Sequence, residues 1–345
     1  MEAPASFADI RQRIAKIPRV DIAIKNTPLI TMANLARHLG GPRLFIKRDD
    51  LTGVALGGNK LRNLEFRLAR TLSEKPDVVI VGLDLQSNSA RQTVGACNKL
   101  GLETILVLEG KRPEQVQGNL LIDYLMGAEI HFARDKHEQR RLLDALAADC
   151  RAKGRKPHIL NDNPMFDVAS ALAYIETLME MVEQLQALHV KPSAFYMSSS
   201  GKGAAGFEIA RKLFGGFHVH SVTATSEFDV PTRTAEIANQ TCEALGLALR
   251  LGPADITNFG GFVGERYGLP SEAGNEATRL FARHEGIVLD PIYTGKAAAG
   301  MVAHIREGRF TPDDVLVFVH TGGAPAVFTW NQIWIDGPGS NPLSR

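Results

Sequence analysis

Apolar positions along the chain follow two periods. Short, almost continuous apolar runs at residues 78–81, 104–108, 194–197 and 315–319, and a β-rich run with alternating polar residues at 219–223, have the length of strands in a parallel sheet. Between them the spacing lengthens. Leu61, Leu64 and Leu68 recur at helical intervals, Ala90, Val94 and Cys97 share one face of residues 89–99, and Phe207, Ala210 and Phe214 share another. Such alternation predicts right-handed βαβ crossovers around parallel strands. The expected fold class is therefore α/β, with two open, mostly parallel twisted sheets flanked by helices. No internal repeat interrupts the pattern, and only the Pro- and Gly-containing tail after Trp334 reads as a fraying end.

Composition narrows the function class. The chain has 345 residues, 44% hydrophobic and 22% charged, as expected of a globular enzyme with substantial cores. Lys and Arg total 39 against 38 Asp and Glu. A net charge of +1 supplies no large attraction to nucleic acid or an anionic membrane, and neither is expected as a partner. Cys97, Cys150 and Cys242 lie far apart without a CxxC pair, which predicts buried thiols, no metal site and a reducing, cytoplasmic setting. No apolar run approaches a membrane span, and the amino terminus lacks a signal-peptide pattern.

Three constellations carry candidate chemistry. Lys60 follows Gly57-Gly58-Asn59 at the mouth of an amphipathic segment. Most lysines are solvated surface groups, but one partly buried at a loop-to-helix junction loses proton affinity and can hold an aldehyde as a Schiff base. The block Gln86-Ser87-Asn88-Ser89 lies between an apolar strand and a helix, where it serves as an N-cap or as a carboxylate site. The block Ser198-Ser199-Ser200-Gly201-Lys202-Gly203-Ala204 occupies an equivalent position. It reads as a tight turn or as a phosphate cradle, although neither the dinucleotide glycine fingerprint nor a Walker lysine is present. Tyr267, Tyr293 and the run His320-Thr321-Gly322-Gly323 form the third group.

These blocks, with Thr27-Pro28-Leu29, residues 44–51, Gly118-Asn119-Leu120-Leu121 and Asp290-Pro291-Ile292-Tyr293-Thr294-Gly295-Lys296, resemble the pyridoxal-phosphate (PLP) enzymes of the tryptophan-synthase β-like fold, fold type II. Within that fold the chain is most similar to the D-cysteine desulfhydrase and aminocyclopropane-carboxylate deaminase group. The resemblance covers nearly the whole chain. It implies a large PLP-binding lobe of residues 1–50 and 170–345, a small mobile lobe of residues 51–169, a homodimer, and a small amino acid as substrate.

The resemblance also implies site roles. Lys60 anchors pyridoxal 5'-phosphate and is the first candidate base. Ser87, Asn88 and Ser89 receive the substrate carboxylate, Asn88 also contacts the cofactor's phenolic oxygen, and Ser87 takes part in catalysis. Ser89 stands where relatives commonly have histidine or glutamine. Ser200, Gly201, Lys202, Gly203 and Ala204 would hold the phosphate, with Lys202 as an extra partner, although Lys202 and Gly203 depart from the usual Gly/Ser-rich turn ending near threonine. Tyr267 and Tyr293 lie at the cofactor's face as catalytic candidates, Tyr293 and Ser87 being those for proton handling, and Thr321 lies beside its ring nitrogen.

One position discriminates within the group. Aminocyclopropane-carboxylate deaminases have glutamate after the second tyrosine, and this chain has Thr294. A carboxylate keeps the ring nitrogen protonated, whereas a hydroxyl partner leaves it largely neutral and the ring a weaker electron sink. That difference favours β-elimination over cyclopropane opening. The resulting expectation is a carbon–sulfur lyase acting on D-cysteine to give pyruvate, sulfide and ammonia. Alternatives are a sibling enzyme acting on L-cysteate, β-chloroalanine or aminocyclopropane-carboxylate, and a non-catalytic PLP-binding protein.

Overall fold

The computed structural model describes residues 6–163 and 165–335. In chain order the elements begin with α1 (Phe7–Ala15), β1 (Leu29–Thr31), α2 (Ala33–Leu39) and β2 (Arg43–Lys47). They continue through α3 (Lys60–Ser73), β3 (Val78–Asp84), α4 (Asn88–Lys99), β4 (Glu103–Glu109), α5 (Gly118–Leu125), β5 (Glu129–Ala133), α6 (Lys136–Ala152) and β6 (Pro157–Ile159). After the long α7 (Val168–Ala187) come β7 (Ala194–Ser198), α8 (Lys202–Phe214), β8 (His218–Val222), α9 (Val230–Ala244) and β9 (Asn258–Phe259). The last elements are α10 (Glu272–Glu285), α11 (Thr294–Arg306), β10 (Val315–Val319) and α12 (Asn331–Ile335). The tail read as a fraying end lies, beyond Ile335, outside the described residues.

Strand pairing separates the chain into two sheets. One has six strands in the order β1-β2-β10-β7-β8-β9 and the other four in the order β5-β4-β3-β6. Every pairing is parallel except that of β1 with β2. The strands of the four-stranded sheet all come from residues 78–159, and those of the six-stranded sheet from both sides of that stretch. The α/β class with two mostly parallel, helix-flanked sheets is thus the observed one.

Continuous apolar runs are required because helices cover both faces of each sheet. In β10, Leu316 and Phe318 pack into the core beneath α10 and α11, while Val315, Val317 and Val319 enter the core under α7 and α8. The same two-residue period divides β3, where Val79 and Val81 face α3 and α4 and Val78 and Ile80 face α6. Each such side chain, once buried, contributes about 1.5–3 kcal/mol. Strands β1, β2, β5, β6 and β9 lie outside the runs predicted above; β2 has a short apolar run of its own, and the other four carry none comparable. Strands β1, β5, β6 and β9 are the edge strands of the two sheets, two to five residues long. The three cysteines are buried and free, as expected.

Candidate active site

The loops after the carboxyl ends of the parallel strands converge on Lys60, the usual place for a site in open α/β sheets. Lys60 is the first residue of α3 and is reached through a tight turn. Gly57 has φ +65°, and a Cβ there would lie 2.1 Å from the Asp50 carbonyl oxygen. At Gly58, φ +122°, a Cβ would sit 2.5 Å from the Gln92 side chain. Glycine is therefore needed at both positions.

The turn is held from several directions. Thr52 Oγ1 donates to the Gly58 carbonyl and accepts from its N–H, both at 2.8 Å. The Asn59 N–H donates to the Thr321 carbonyl at 3.0 Å, its Nδ2 donates to Tyr174 Oη at 2.5 Å, and the Leu61 N–H donates to Gln92 Oε1 at 3.1 Å. The half-buried Lys60 ammonium has no hydrogen bond or ion pair among the described residues. Burial, aided by the cations Lys202 and Arg67 and opposed by Asp290, pushes it down to about 8.

Helix α4 opens the second side of the site. Ser87 is its N-cap, with Oγ accepting from the N–H groups of Ser89 (3.1 Å) and Ala90 (3.2 Å). Asn88 Oδ1 accepts from Asn119 Nδ2 at 2.9 Å. Asn119 is itself locked, accepting from Arg91 Nε at 2.7 Å and donating to the Gln86 carbonyl at 2.8 Å. Sequence reasoning gave Asn119 no role. Its place in the quoted Gly118–Leu121 block was the available signal.

At the start of α8, Ser199 Oγ accepts from the N–H groups of Gly201 (3.2 Å) and Ala204 (3.0 Å). The N–H groups of Lys202 and Gly203, in the first turn, have no intrahelical acceptor and suit an anion. Ser200 Oγ meets Thr223 Oγ1 at 3.2 Å. Lys202 directs its ammonium to Asp167 at 2.8 Å and over the Phe166 ring, 3.6 Å from the centroid. Its charge is thus committed away from the cradle, leaving its backbone N–H for an anion.

The third side is built by the start of α11. Asp290 Oδ1 accepts from the N–H groups of Ile292 (2.9 Å) and Tyr293 (2.7 Å), and Oδ2 from the Thr294 N–H (3.0 Å) and hydroxyl (2.6 Å). Thr294 is fully buried and spends its hydroxyl on this clasp. Gly323 closes on the carboxylate, since a Cβ there would lie 2.8 Å from Asp290 Cγ, and Gly322 packs equally close to Gly58. Lys296 lies in the same helix turn, fully buried with its ammonium unpartnered, and burial pushes it down to about 8 against the pull of Asp290.

Tyr293 and Tyr267 meet oxygen to oxygen at 2.6 Å, and Tyr267 Oη donates to Asp84 Oδ2 at 3.3 Å. Burial first, then the nearby Asp84 carboxylate, pushes the Tyr267 phenol up to about 12. Tyr293 is raised further by burial and by Tyr267. Both phenols are therefore neutral at ordinary pH.

The residues present fit pyridoxal phosphate. An unpartnered lysine of lowered proton affinity faces the aldehyde's requirement for a neutral amine, and a Ser/Gly loop with free helix-start N–H groups suits the phosphate. Asn88, at the start of α4, and Thr321, in the loop after β10, border the Lys60 turn: the Asn88 carbonyl accepts from Gln92, which also holds Leu61, and the Thr321 carbonyl holds Asn59. Among the described residues no group of three or more His, Cys, Asp or Glu could hold a metal ion, and no helix is long and apolar enough to cross a membrane.

Comparison with known proteins agrees with that fit. Residues 20–322 match the family described as pyridoxal-phosphate dependent enzyme. A D-cysteine desulfhydrase of Serratia proteamaculans is 33% identical over 94% of this chain and 99% of its own length. One from Yersinia enterocolitica is 35% identical over 93% and 98%. The crystal structure of an ACC deaminase homologue superposes with a TM-score of 0.83 at 31% identity, covering 95% of this chain and 98% of its own. The processed form of threonine deaminase isoform 2 from Solanum lycopersicum shares the fold at a TM-score of 0.65 and 16% identity, over 96% of this chain and 89% of its own. With a family match over most of its length and relatives similar from end to end, the chain belongs to the pyridoxal-phosphate dependent enzymes of fold type II and is a lyase of that family.

Proposed function

We propose that the protein is a D-cysteine desulfhydrase, converting D-cysteine to pyruvate, sulfide and ammonia. The observation that carries this choice within the family is Thr294. It stands directly after Tyr293, where deaminases of the group have an acid, and its hydroxyl is bonded to Asp290. The end-to-end similarity to D-cysteine desulfhydrases supports the same substrate.

When bound, pyridoxal phosphate supplies an electron sink for the negative charge that develops at the substrate's α-carbon. Lys60 would anchor it, and the Lys60 amine would serve as the base for the α-proton. The start of α8 would hold the phosphate through the N–H groups of Lys202 and Gly203, with Ser200, Gly201 and Ala204 shaping the loop. Ser87, Asn88 and Ser89 take the substrate carboxylate at the start of α4, where the helix dipole favours an anion. Asn88, fixed by Asn119, would take the cofactor's phenolic oxygen, and Thr321 its ring nitrogen. Tyr293, backed by Tyr267, handles a second proton.

Residues 51–169 act as a small mobile lobe against residues 1–50 and 170–345, a division supported by the separate sheet formed within residues 78–159. We read the enzyme as a cytoplasmic homodimer without nucleic-acid partners, supported by the family, the three buried free thiols and the balanced charge. A panel of paired D- and L-amino acids bearing thiol, sulfonate, chloride, hydroxyl and amino β-substituents, followed by keto-acid release, tests the reading. D-cysteine is expected to be turned over best. Preference for another leaving group would reassign the enzyme to a sibling, and no keto acid from any member would support a non-catalytic protein.

A further inference from the structure

Asp84 was not singled out in the sequence, yet it ends a continuous chain of hydrogen bonds leading from the cleft to solvent. It closes β3 in the four-stranded sheet, whereas Tyr267 and Tyr293 belong to the segment that builds the six-stranded one. Tyr267 Oη lies 3.3 Å from Asp84 Oδ2 and 2.6 Å from Tyr293 Oη. On its outer side Asp84 Oδ1 is paired with Lys136 Nζ at 2.8 Å, and Lys136 also reaches Glu109 at 2.5 Å. The Asp84 side chain is half exposed, and Lys136 more so.

The direction of this chain follows from counting protons. A phenol has one proton to donate, and a carboxylate has none. Tyr267 gives its proton to Asp84, so the short contact with Tyr293 requires Tyr293 to donate to Tyr267. Tyr293 then has no proton left for the cleft. Its remaining lone pair is an acceptor.

The geometry points to Asp84 as a positioning residue that orients the two tyrosines, so that Tyr293 rests as a proton acceptor and passes protons outward. The inference rests on the lyase reading above and names the outer half of the same site. One N–H bond of the incoming substrate's ammonium breaks and its proton binds Tyr293 Oη, the Tyr293 proton moves to Tyr267 Oη, and the Tyr267 proton moves to Asp84 Oδ2. One O–H bond forms and one breaks at each phenol, Asp84 becomes neutral, and it returns the proton to solvent beside Lys136. Neither phenol need ionise in a concerted shift, which accords with the high proton affinity of both. The other carboxylates facing the chain, Glu227 near Tyr267 and Asp290 near Tyr293, reinforce retention of the phenolic protons, while Glu109 shares Lys136 with Asp84.

Two readouts on the cofactor-loaded enzyme test this. The first is independent of turnover: Cζ resonances of isotope-labelled tyrosine, five in all, assigned by single Tyr→Phe variants. Asp84→Asn is expected to move the signals of both Tyr267 and Tyr293, although Tyr293 does not bond to Asp84, and to leave Tyr124, Tyr174 and Tyr196 in place. Movement of Tyr267 alone, or of neither, would overturn the proposal even if turnover fell. The second is kinetic. Asp84→Asn is expected to lower kcat between about 10- and 100-fold with KM little changed, Asp84→Glu to restore most of it, and Asp84→Asn added to Tyr267→Phe to cost nothing further. Undiminished kcat in Asp84→Asn would overturn it too. Should the wild type not act on D-cysteine, the substrate assignment fails while the resonances still decide the orientation of the chain.

Discussion

Lys60 owes its chemistry to its surroundings. Few anions near it offset burial and two neighbouring cations, so the amine is half neutral near pH 8 instead of above 10. Only the neutral amine attacks an aldehyde. Capture of pyridoxal phosphate by the cofactor-free protein should therefore rise with pH to half its maximum near 8, and stopped-flow absorbance would show an ordinary lysine profile if the cleft did not act on Lys60. Tyr293 is the complementary case, a group held neutral. Tyr293→Phe keeps the ring's packing and removes only the hydroxyl, so the protein should stay folded and yellow while kcat falls by about 100- to 10,000-fold. Wild-type turnover in that variant would remove Tyr293 from the reaction.

At the scale of elements, α3 is oriented by charges that never reach the cleft. Arg62, two residues beyond Lys60, is buried between Glu180 of α7, at 2.7 and 2.9 Å, and Asp49, at 2.9 Å. The buried Lys47 joins the group at 3.1 Å from Glu180. Glu180→Ala would leave Arg62 and Lys47 in the interior with Asp49 as the remaining carboxylate. Removing one member of such a cluster costs about 3–5 kcal/mol, a loss that urea denaturation would register directly. A loss below about 1 kcal/mol would mean that packing alone holds α3.

The start of α11 behaves similarly. Thr294→Glu would place a second carboxylate against Asp290, which already accepts four hydrogen bonds. The variant should be less stable, with a lower Tm, and should not gain aminocyclopropane-carboxylate deaminase activity, because a buried unpaired acid raises its own proton affinity. Strong deaminase activity in the unmodified protein would contradict the use made of Thr294.

Over the whole molecule, the legible parts of the sequence were those whose pattern is local. Residues 315–319 are apolar at every position because helices cover both faces of β10. Lys60, Ser87 and the loop around Gly201 were legible because glycines and small polar residues mark strand-to-helix turns wherever they occur. Asp84 was not, since its partner Tyr267 is 183 residues away and nothing near Asp84 in the chain announces it. Asp290 was quoted only as part of a motif, and its role as clasp of α11 appears once Gly323 is folded against it. Strand β9, two residues long, has too little chain to show a period.

The central claim is that Lys60 and the loops around it make a D-cysteine β-elimination site. Its most direct test is the simultaneous release of sulfide and pyruvate from saturating D-cysteine by the wild type and by Lys60→Ala. Equal amounts of both products from the wild type, with release by Lys60→Ala at background, is the expected result. No sulfide from the wild type, or undiminished release by Lys60→Ala, would contradict the account.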